Sequence, residues 1–193
     1  MDPARRLATY EDLLALPEDA RAELLSGTIT TSPAPLPRHA KVQANVLRFI
    51  GTPFDDDDGN GGPGGWWIFQ EVDVRLTRHD AVRPDLSGWR RERLSDPWDK
   101  RPIDVAPDWV CEVLSPSNVA HDRVTKRHLY AKHGIPFFWL LDPEARTLEA
   151  LRLDKGVWVD AGTFDETSIA RVPPFEAVEL VVGRMFPPRS PAR

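Results

Sequence analysis

Glu112 interrupts a run that is otherwise suited to burial. Within "PDWVCEVLSPSN", residues 107–118, Trp109, Val110, Cys111, Val113 and Leu114 read as an apolar strand with one carboxylate among them. An unpaired buried carboxylate costs several kcal/mol or must keep its proton. A partner is therefore required, whether a base, a hydrogen-bond donor or a metal. Asp85, at the start of a short strand in "VRPDLSGW", supplies a second acid. Acids on neighbouring strands bring their carboxylates within about one strand spacing, ~4.8 Å. That geometry lets two acids share one hard divalent cation. Mg²⁺ takes few carboxylates and keeps several waters, which suits phosphodiester hydrolysis. Asp108 also follows a proline, but it lies on the strand of Glu112 itself, about 13 Å away at ~3.3 Å per residue. It cannot share the ion and is read as capping the strand entrance.

Two further charged side chains interrupt apolar elements: Lys126 on the next helix and Glu23 in an N-terminal hairpin. Asp122, Lys126 and Tyr130 recur every four residues and so lie along one helix face. Taken alone, such a stripe is a solvated face carrying an Asp–Lys pair worth a few tenths of a kcal/mol. This helix directly follows the Glu112 strand, however, so its inner face must cross the sheet near that strand. Glu71 is a reserve acid, expected to face solvent, and His39 by default is an ordinary helix-start residue. Without an ion the carboxylates of Asp85 and Glu112 would repel, raising one pKa. Asp85→Asn is on this basis expected to keep or slightly raise thermal stability.

The elements that must position these groups follow from periodicity and breakers. Thr9 and Asp12 form a capping pair before a short helix through Leu13, Leu14 and Leu16. "RAELLSGTITT" is a hairpin about Ser-Gly, and "RHAKVQANVLRFI" places Val42, Val46 and Phe49 or Ile50 at helical spacing. "WWIFQEVDVRL" alternates as one half-buried strand, and "DWVCEVL" is a central one. Residues 118–133 form the best helix, stopped by Gly134 and Pro136. "PFFWLLD" is a fully apolar strand; then come a hairpin turning at 154–156 and a last strand, "EAVELVV". The expectation is one α/β (α+β) domain over 1–193 with a mixed sheet: a core at about 38–142, an N-terminal helix and hairpin at 9–31, and a C-terminal hairpin and strand at 147–186.

Composition narrows the function. A net charge of −5 argues mildly against a large nucleic-acid footprint. Much of that acid sits in "DDDD", residues 55–58, within a glycine-rich stretch read as a mobile surface loop. A single cysteine excludes an internal disulfide or a cysteine-held zinc, and Cys111 reads as a small buried hydrophobe. No apolar run approaches the roughly 18 residues of a membrane span, and the N-terminus lacks the apolar core of a secretory signal. A cytoplasmic protein without membrane contact is expected. Seven tryptophans are core candidates by default. Trp66, Trp67 and Trp98, near loops, are also placed to stack on bases or close a dimer interface.

These residues carry a resemblance. "PD", 26 residues, "EVLS", a helix with Asp, Lys and Tyr at four-residue steps and an apolar strand containing Trp together resemble the PD-(D/E)XK phosphodiesterase superfamily. More closely, the chain is similar to the Uma-type "putative restriction endonuclease" family that is abundant in cyanobacteria. The threonine-initiated helix, "AELLSGTI", the histidine of "RHAKV", "RPDLSGW", "CEVLSPSN", "DRVTKRHLY" and "PFFWLLDP" fall in family order over most of the chain. The resemblance implies a restriction-endonuclease-like fold, metal-binding acids at Asp85 and Glu112, a catalytic lysine at Lys126, a further acid at Glu23 and His39 close to the site. On this reading the chain is a Mg²⁺- or Mn²⁺-dependent endonuclease acting on nucleic acid, DNA foremost, as a homodimer, with the Val113 carbonyl assisting the ion. The superfamily pattern sets its lysine two residues after the glutamate, where this chain has Leu114, so Lys126 must enter from the helix. That departure and the acidic charge favour an alternative, a nuclease fold used for binding or assembly without turnover. A hydrolase of a small phosphodiester is a third.

Overall fold

The computed structural model describes residues 6–17, 20–56, 62–116 and 119–189. Its centre is β7 (Trp109–Val113), buried along its whole length. Trp109, Cys111 and Val113 join one hydrophobic core, and Val110 and the following Leu114 join another. A strand apolar on both faces has to be covered twice. Alternation then fixes the placement of Glu112, which shares the face of Val110 and Leu114.

β7 lies within a six-stranded mixed sheet in the order β10-β9-β8-β7-β6-β3. The other members are β3 (Trp66–Gln70), β6 (Leu86–Arg90), β8 (Phe137–Asp142), β9 (Thr147–Asp154) and β10 (Val157–Asp165). β7 and β8 run parallel, joined by a crossover that contains helix α3 (residues 121–132). The first face is covered by α2 (Pro37–Phe54), whose Val42, Val46 and Ile50 are fully buried against Trp66, Trp109 and Trp139. Gly88 on β6 permits this packing, because a Cβ there would meet Trp109 at 3.2 Å and Trp66 at 3.3 Å. A two-stranded ribbon, β11 (Ile169–Ala170) with β12 (Leu180–Val181), follows β10.

Helix α3 covers the second face through Leu129 and Tyr130. It is π-wound over His121–Lys126 and α-helical over Arg127–Lys132. Beside it lies a second sheet in the order β2-β1-β5-β4, from β1 (Ala22–Leu25), β2 (Thr28–Thr31), β4 (Val74–Thr77) and β5 (Asp80–Val82). Helix α1 (Tyr10–Leu14) opens with the expected Thr9/Asp12 capping box.

Several expectations change. "WWIFQEVDVRL" is two strands in two sheets, since Glu71 takes a left-handed φ of 50° and turns the chain out of the large sheet. The hydrophobic alternation continues on both sides of that turn, so period alone reads one strand. "EAVELVV" shrinks to the two residues of β12, followed by a tight helical turn at Val182–Met185. The expected helix start at Asn118, and Asp57 and Asp58 of the acidic stretch, lie outside the described residues. Of the tryptophans, Trp66, Trp89, Trp109 and Trp139 are core, whereas Trp98 is 67% exposed.

Asp80 ties the small sheet to the end of α3. Its buried carboxylate accepts the Ser26 N–H at 2.7 Å and lies 3.1 Å from Lys132 Nζ and 3.0 Å from His133 Nε2. Burial pushes this carboxyl up, but those donors outweigh it and hold it below the ordinary aspartate value. A depressed carboxyl contributes stability that is present above its unfolded pKa, near ~4, and lost as pH falls through the lower folded value. Asp80→Asn should cost about 2–3 kcal/mol at pH 7. The difference from wild type should shrink as pH falls below that unfolded value, as urea melts across pH would show.

Candidate active site

Antiparallel pairing of β6 with β7 aligns Leu86 with Cys111, so the next pair outward is Asp85 with Glu112. β6 starts only at Leu86, and beyond it the Asp85 side chain takes the place of a strand. Its Oδ2 accepts the Val113 N–H at 2.6 Å. The carbonyl of Val113 leaves the strand on that same side. On the other oxygen, Oδ1, Asp85 accepts Gln43 Nε2 at 2.8 Å and meets His39 Nε2 at 2.9 Å. An ionised carboxylate only accepts, so His39 Nε2 carries the proton toward it. His39 Nδ1 is buried without a partner. Gln43 also donates to Glu71 at 3.1 Å, which Arg21 holds at 2.8 Å. Burial raises the Glu71 carboxyl, but the hydrogen bonds from Arg21 and Gln43 prevail and keep it below its usual value.

Glu112 faces α3, as its position in the alternation requires. Its Oε1 accepts Lys126 Nζ at 3.0 Å and the Tyr130 hydroxyl at 2.5 Å. The same ammonium lies 3.1 Å from Glu23 Oε2 and 3.7 Å from Asp122 Oδ1. Glu23 arrives on β1, its other oxygen accepting the Arg83 N–H at 2.8 Å. Glu112 and the Lys126 side chain are 2% and 7% exposed, so both are out of water. Burial drives the Glu112 carboxyl well up; Lys126 opposes this, and Asp122, Asp85 and Glu23 add to it. Asp122 is pushed up to about 6, again first by burial. Burial would lower Lys126, but Glu112, Glu23, Asp122 and Asp85 reverse that and raise it far above a free lysine.

Glu23, Asp85, Val113, Glu112, Asp122 and Lys126 line one cavity of about 60 Å³. Four acids thus face one ammonium; Arg21 at the rim is held by Glu71, and Arg83 shares Asp73 with Arg101. An excess of buried carboxylate oxygens, with space for an ion and a few waters, fits a hard divalent cation. Among the described residues no three His, Cys, Asp or Glu side chains gather as a protein cage, so water would complete the coordination.

The structure therefore brings together every residue singled out from sequence: Asp85, Glu112, Val113, Lys126 and Glu23 around the cavity, with His39 one hydrogen bond behind. Asp108 stays away, its Oδ2 accepting the Arg90 N–H at 2.8 Å at the strand entrance. Asp122 and Tyr130 belong to the site rather than to a solvated stripe, and Glu71 is part-buried and bonded rather than free in solvent. Gln43 escaped notice altogether. Its signal was present, four residues after His39 on one face of a helix.

Comparison with known proteins bears on the family and the fold. The Uma2 family model, described as "Putative restriction endonuclease", matches residues 7–183. Among solved structures, a "putative nuclease belonging to DUF820" from Anabaena variabilis ATCC 29413 is 26% identical, with 92% of this chain and 97% of that one covered and a TM-score of 0.73. The DrdV–DNA complex, 15% identical over 64% of this chain and 12% of its own, has a TM-score of 0.31, too low to carry an argument. No curated protein matches the chain. Among the described residues no helix is long and apolar enough to cross a membrane. The fold is restriction-endonuclease-like, as the sequence led us to expect. Since the family match runs through every element that builds the site, from the strand of Glu23 to the helix of Lys126, this chain belongs to the Uma2 family.

Proposed function

We propose that the protein is a Mg²⁺-dependent endonuclease that hydrolyses phosphodiester bonds in nucleic acid, DNA foremost. One observation carries the reading: Lys126 Nζ sits 3.0 Å from Glu112 Oε1, on the strand paired beside Asp85, in a single cavity. Asp85, Glu112 and the Val113 carbonyl would hold the ion, with Glu23 and Asp122 accepting hydrogen bonds from its waters. Bound there, Mg²⁺ or Mn²⁺ would supply Lewis acidity toward the phosphate and lower the pKa of a water. Lys126 donates to a non-bridging phosphate oxygen as charge builds on it and orients the attacking water. Tyr130 holds Glu112, and His39 with Gln43 holds Asp85, so neither acid has to reorganise. A homodimer would supply a second such site for the opposite strand of a duplex. The names of the family and of the cyanobacterial structure support a nuclease.

The test is cleavage of supercoiled, linear and single-stranded DNA and of RNA with Mg²⁺, with Mn²⁺ and in EDTA. Nicking of plasmid that depends on the divalent ion is expected. An alternative, a nuclease fold that binds or assembles without turnover, is favoured by the Lys126 ammonium being held by three carboxylates and by Leu114 in the usual lysine place. Nucleic-acid binding without cleavage under either ion would establish that alternative and overturn our reading.

A further inference from the structure

A second cavity, of about 330 Å³, adjoins the site and shares Ala22 and Arg83 with it. Leu13, Leu14, Leu16 and Pro17 form its apolar wall, and Tyr10, Asp73, Arg83 and Arg101 its polar one. Asp73 is shared, with Oδ1 accepting Arg83 Nε at 2.7 Å and Oδ2 accepting Arg101 Nε at 2.8 Å. Two guanidinium groups thus meet on one carboxylate, and the shared acid fixes their spacing. Arg83 spends only its Nε–H on Asp73; among the described residues its side chain makes no other hydrogen bond or ion pair. The remaining four N–H groups of its fork are the donors that match a phosphate. The Tyr10 hydroxyl is buried with no hydrogen-bond partner, a state that normally marks a missing ligand or water. Asp73, Arg101 and Arg83 all act on its ionisation, which puts it within their field.

We infer that this cavity is a phosphate subsite of the nuclease: Arg83 and Arg101 hold the phosphate next to the scissile one, the Tyr10 hydroxyl donates to it, and the attached sugar or base lies against Leu13 and Leu16. The inference rests on the nuclease reading above and extends it. Because Arg83 lines both cavities, one strand can pass from one to the other over that guanidinium. The subsite would thereby set which phosphate enters the catalytic cavity.

The test uses the full chain in EDTA, where no turnover occurs, and two conservative variants. Tyr10→Phe removes a hydroxyl that has no partner, so the fold should be unaffected. Arg101→Ala leaves Asp73 its partner Arg83. Anisotropy of an end-labelled single-stranded oligonucleotide should show binding weakened about 10-fold in Arg101→Ala and about 3-fold in Tyr10→Phe. One methylphosphonate, neutral and placed next to the scissile position, should erase the difference between wild type and Arg101→Ala. A 5′-mononucleotide titrated by calorimetry separates a free nucleotide from a strand. Wild type that cleaves DNA while both variants bind all probes as it does overturns the subsite and leaves the nuclease reading intact. Absence of cleavage, together with mononucleotide binding that depends on Tyr10 and Arg101, overturns the nuclease reading and retains the phosphate site.

Discussion

Lys126→Ala is expected to lower turnover about a thousandfold, because the ammonium acts on charge that develops in the transition state. It should also cost about 3–5 kcal/mol of stability in metal-free buffer at neutral pH. Lys126 is the cation common to Glu112, Glu23 and Asp122, and without it three buried carboxyl groups face one another. Burial already raises Glu112 and Asp122, and Lys126 is the charge that opposes the rise. The variant should regain stability on acidification, as those acids take protons, and on addition of Mn²⁺, which replaces the missing charge. Its melting temperature should therefore climb more with Mn²⁺ than that of wild type. Adding Leu114→Lys is expected to restore part of the activity, since Leu114 shares the α3-facing core with Val110 on the side where Glu112 projects. The restored lysine comes at some loss of packing, Leu114 being 3% exposed. Full activity in Lys126→Ala alone would remove the lysine from the mechanism.

The same residues show what a sequence can and cannot disclose. Glu112 was legible because a carboxylate in a doubly apolar strand has no inexpensive default, and the sheet register then made Asp85 its neighbour. The helices and the apolar strands announced themselves by period and by their glycine and proline stops. Asp122 was harder. Four-residue spacing states that it shares a face with Lys126 but not whether that face meets water or sheet, and only the tertiary packing of α3 decides. The hairpin of β1 and β2 was legible, but its growth into the small sheet was not, for a related reason: β1 meets β5 through the pair Leu24 and Ala81, more than fifty residues apart, and no local pattern encodes such a pairing. It matters, because that sheet delivers Glu23 to Lys126. Likewise the residue at the left-handed turn, Glu71, has its carboxylate held by Arg21 and Gln43, partners remote in sequence.

Asp85→Asn should abolish tight Mn²⁺ binding, and here the structure reverses the expected effect on stability. Charge repulsion alone favours the amide, since Asp85 helps to raise Glu112. The carboxylate, however, is an acceptor for the Val113 N–H, the Gln43 amide and His39 Nε2 at once. An asparagine offers one oxygen. If that oxygen faces Val113, the amide N–H groups point at Gln43 and His39. His39 can adapt by moving its proton to Nδ1, the nitrogen now without a partner, so that Nε2 accepts. Gln43 can turn its amide only by giving up its bonds to Glu71 and Gln70. At least one buried hydrogen bond is therefore lost, and a net cost of about 1–2 kcal/mol is expected after relief of the repulsion. Asp85→Ala, which orphans all three donors, should cost more, about 3–4 kcal/mol. Calorimetric titration and urea melts on both variants read the two effects separately. Undiminished Mn²⁺ affinity in folded Asp85→Asn would take Asp85 out of the ligand set, whereas stability equal to wild type in both variants would show that the three donors find other acceptors. With Asp85 removed as a charge, Glu112 should titrate lower than in wild type, which ¹³C-carboxyl spectra would record.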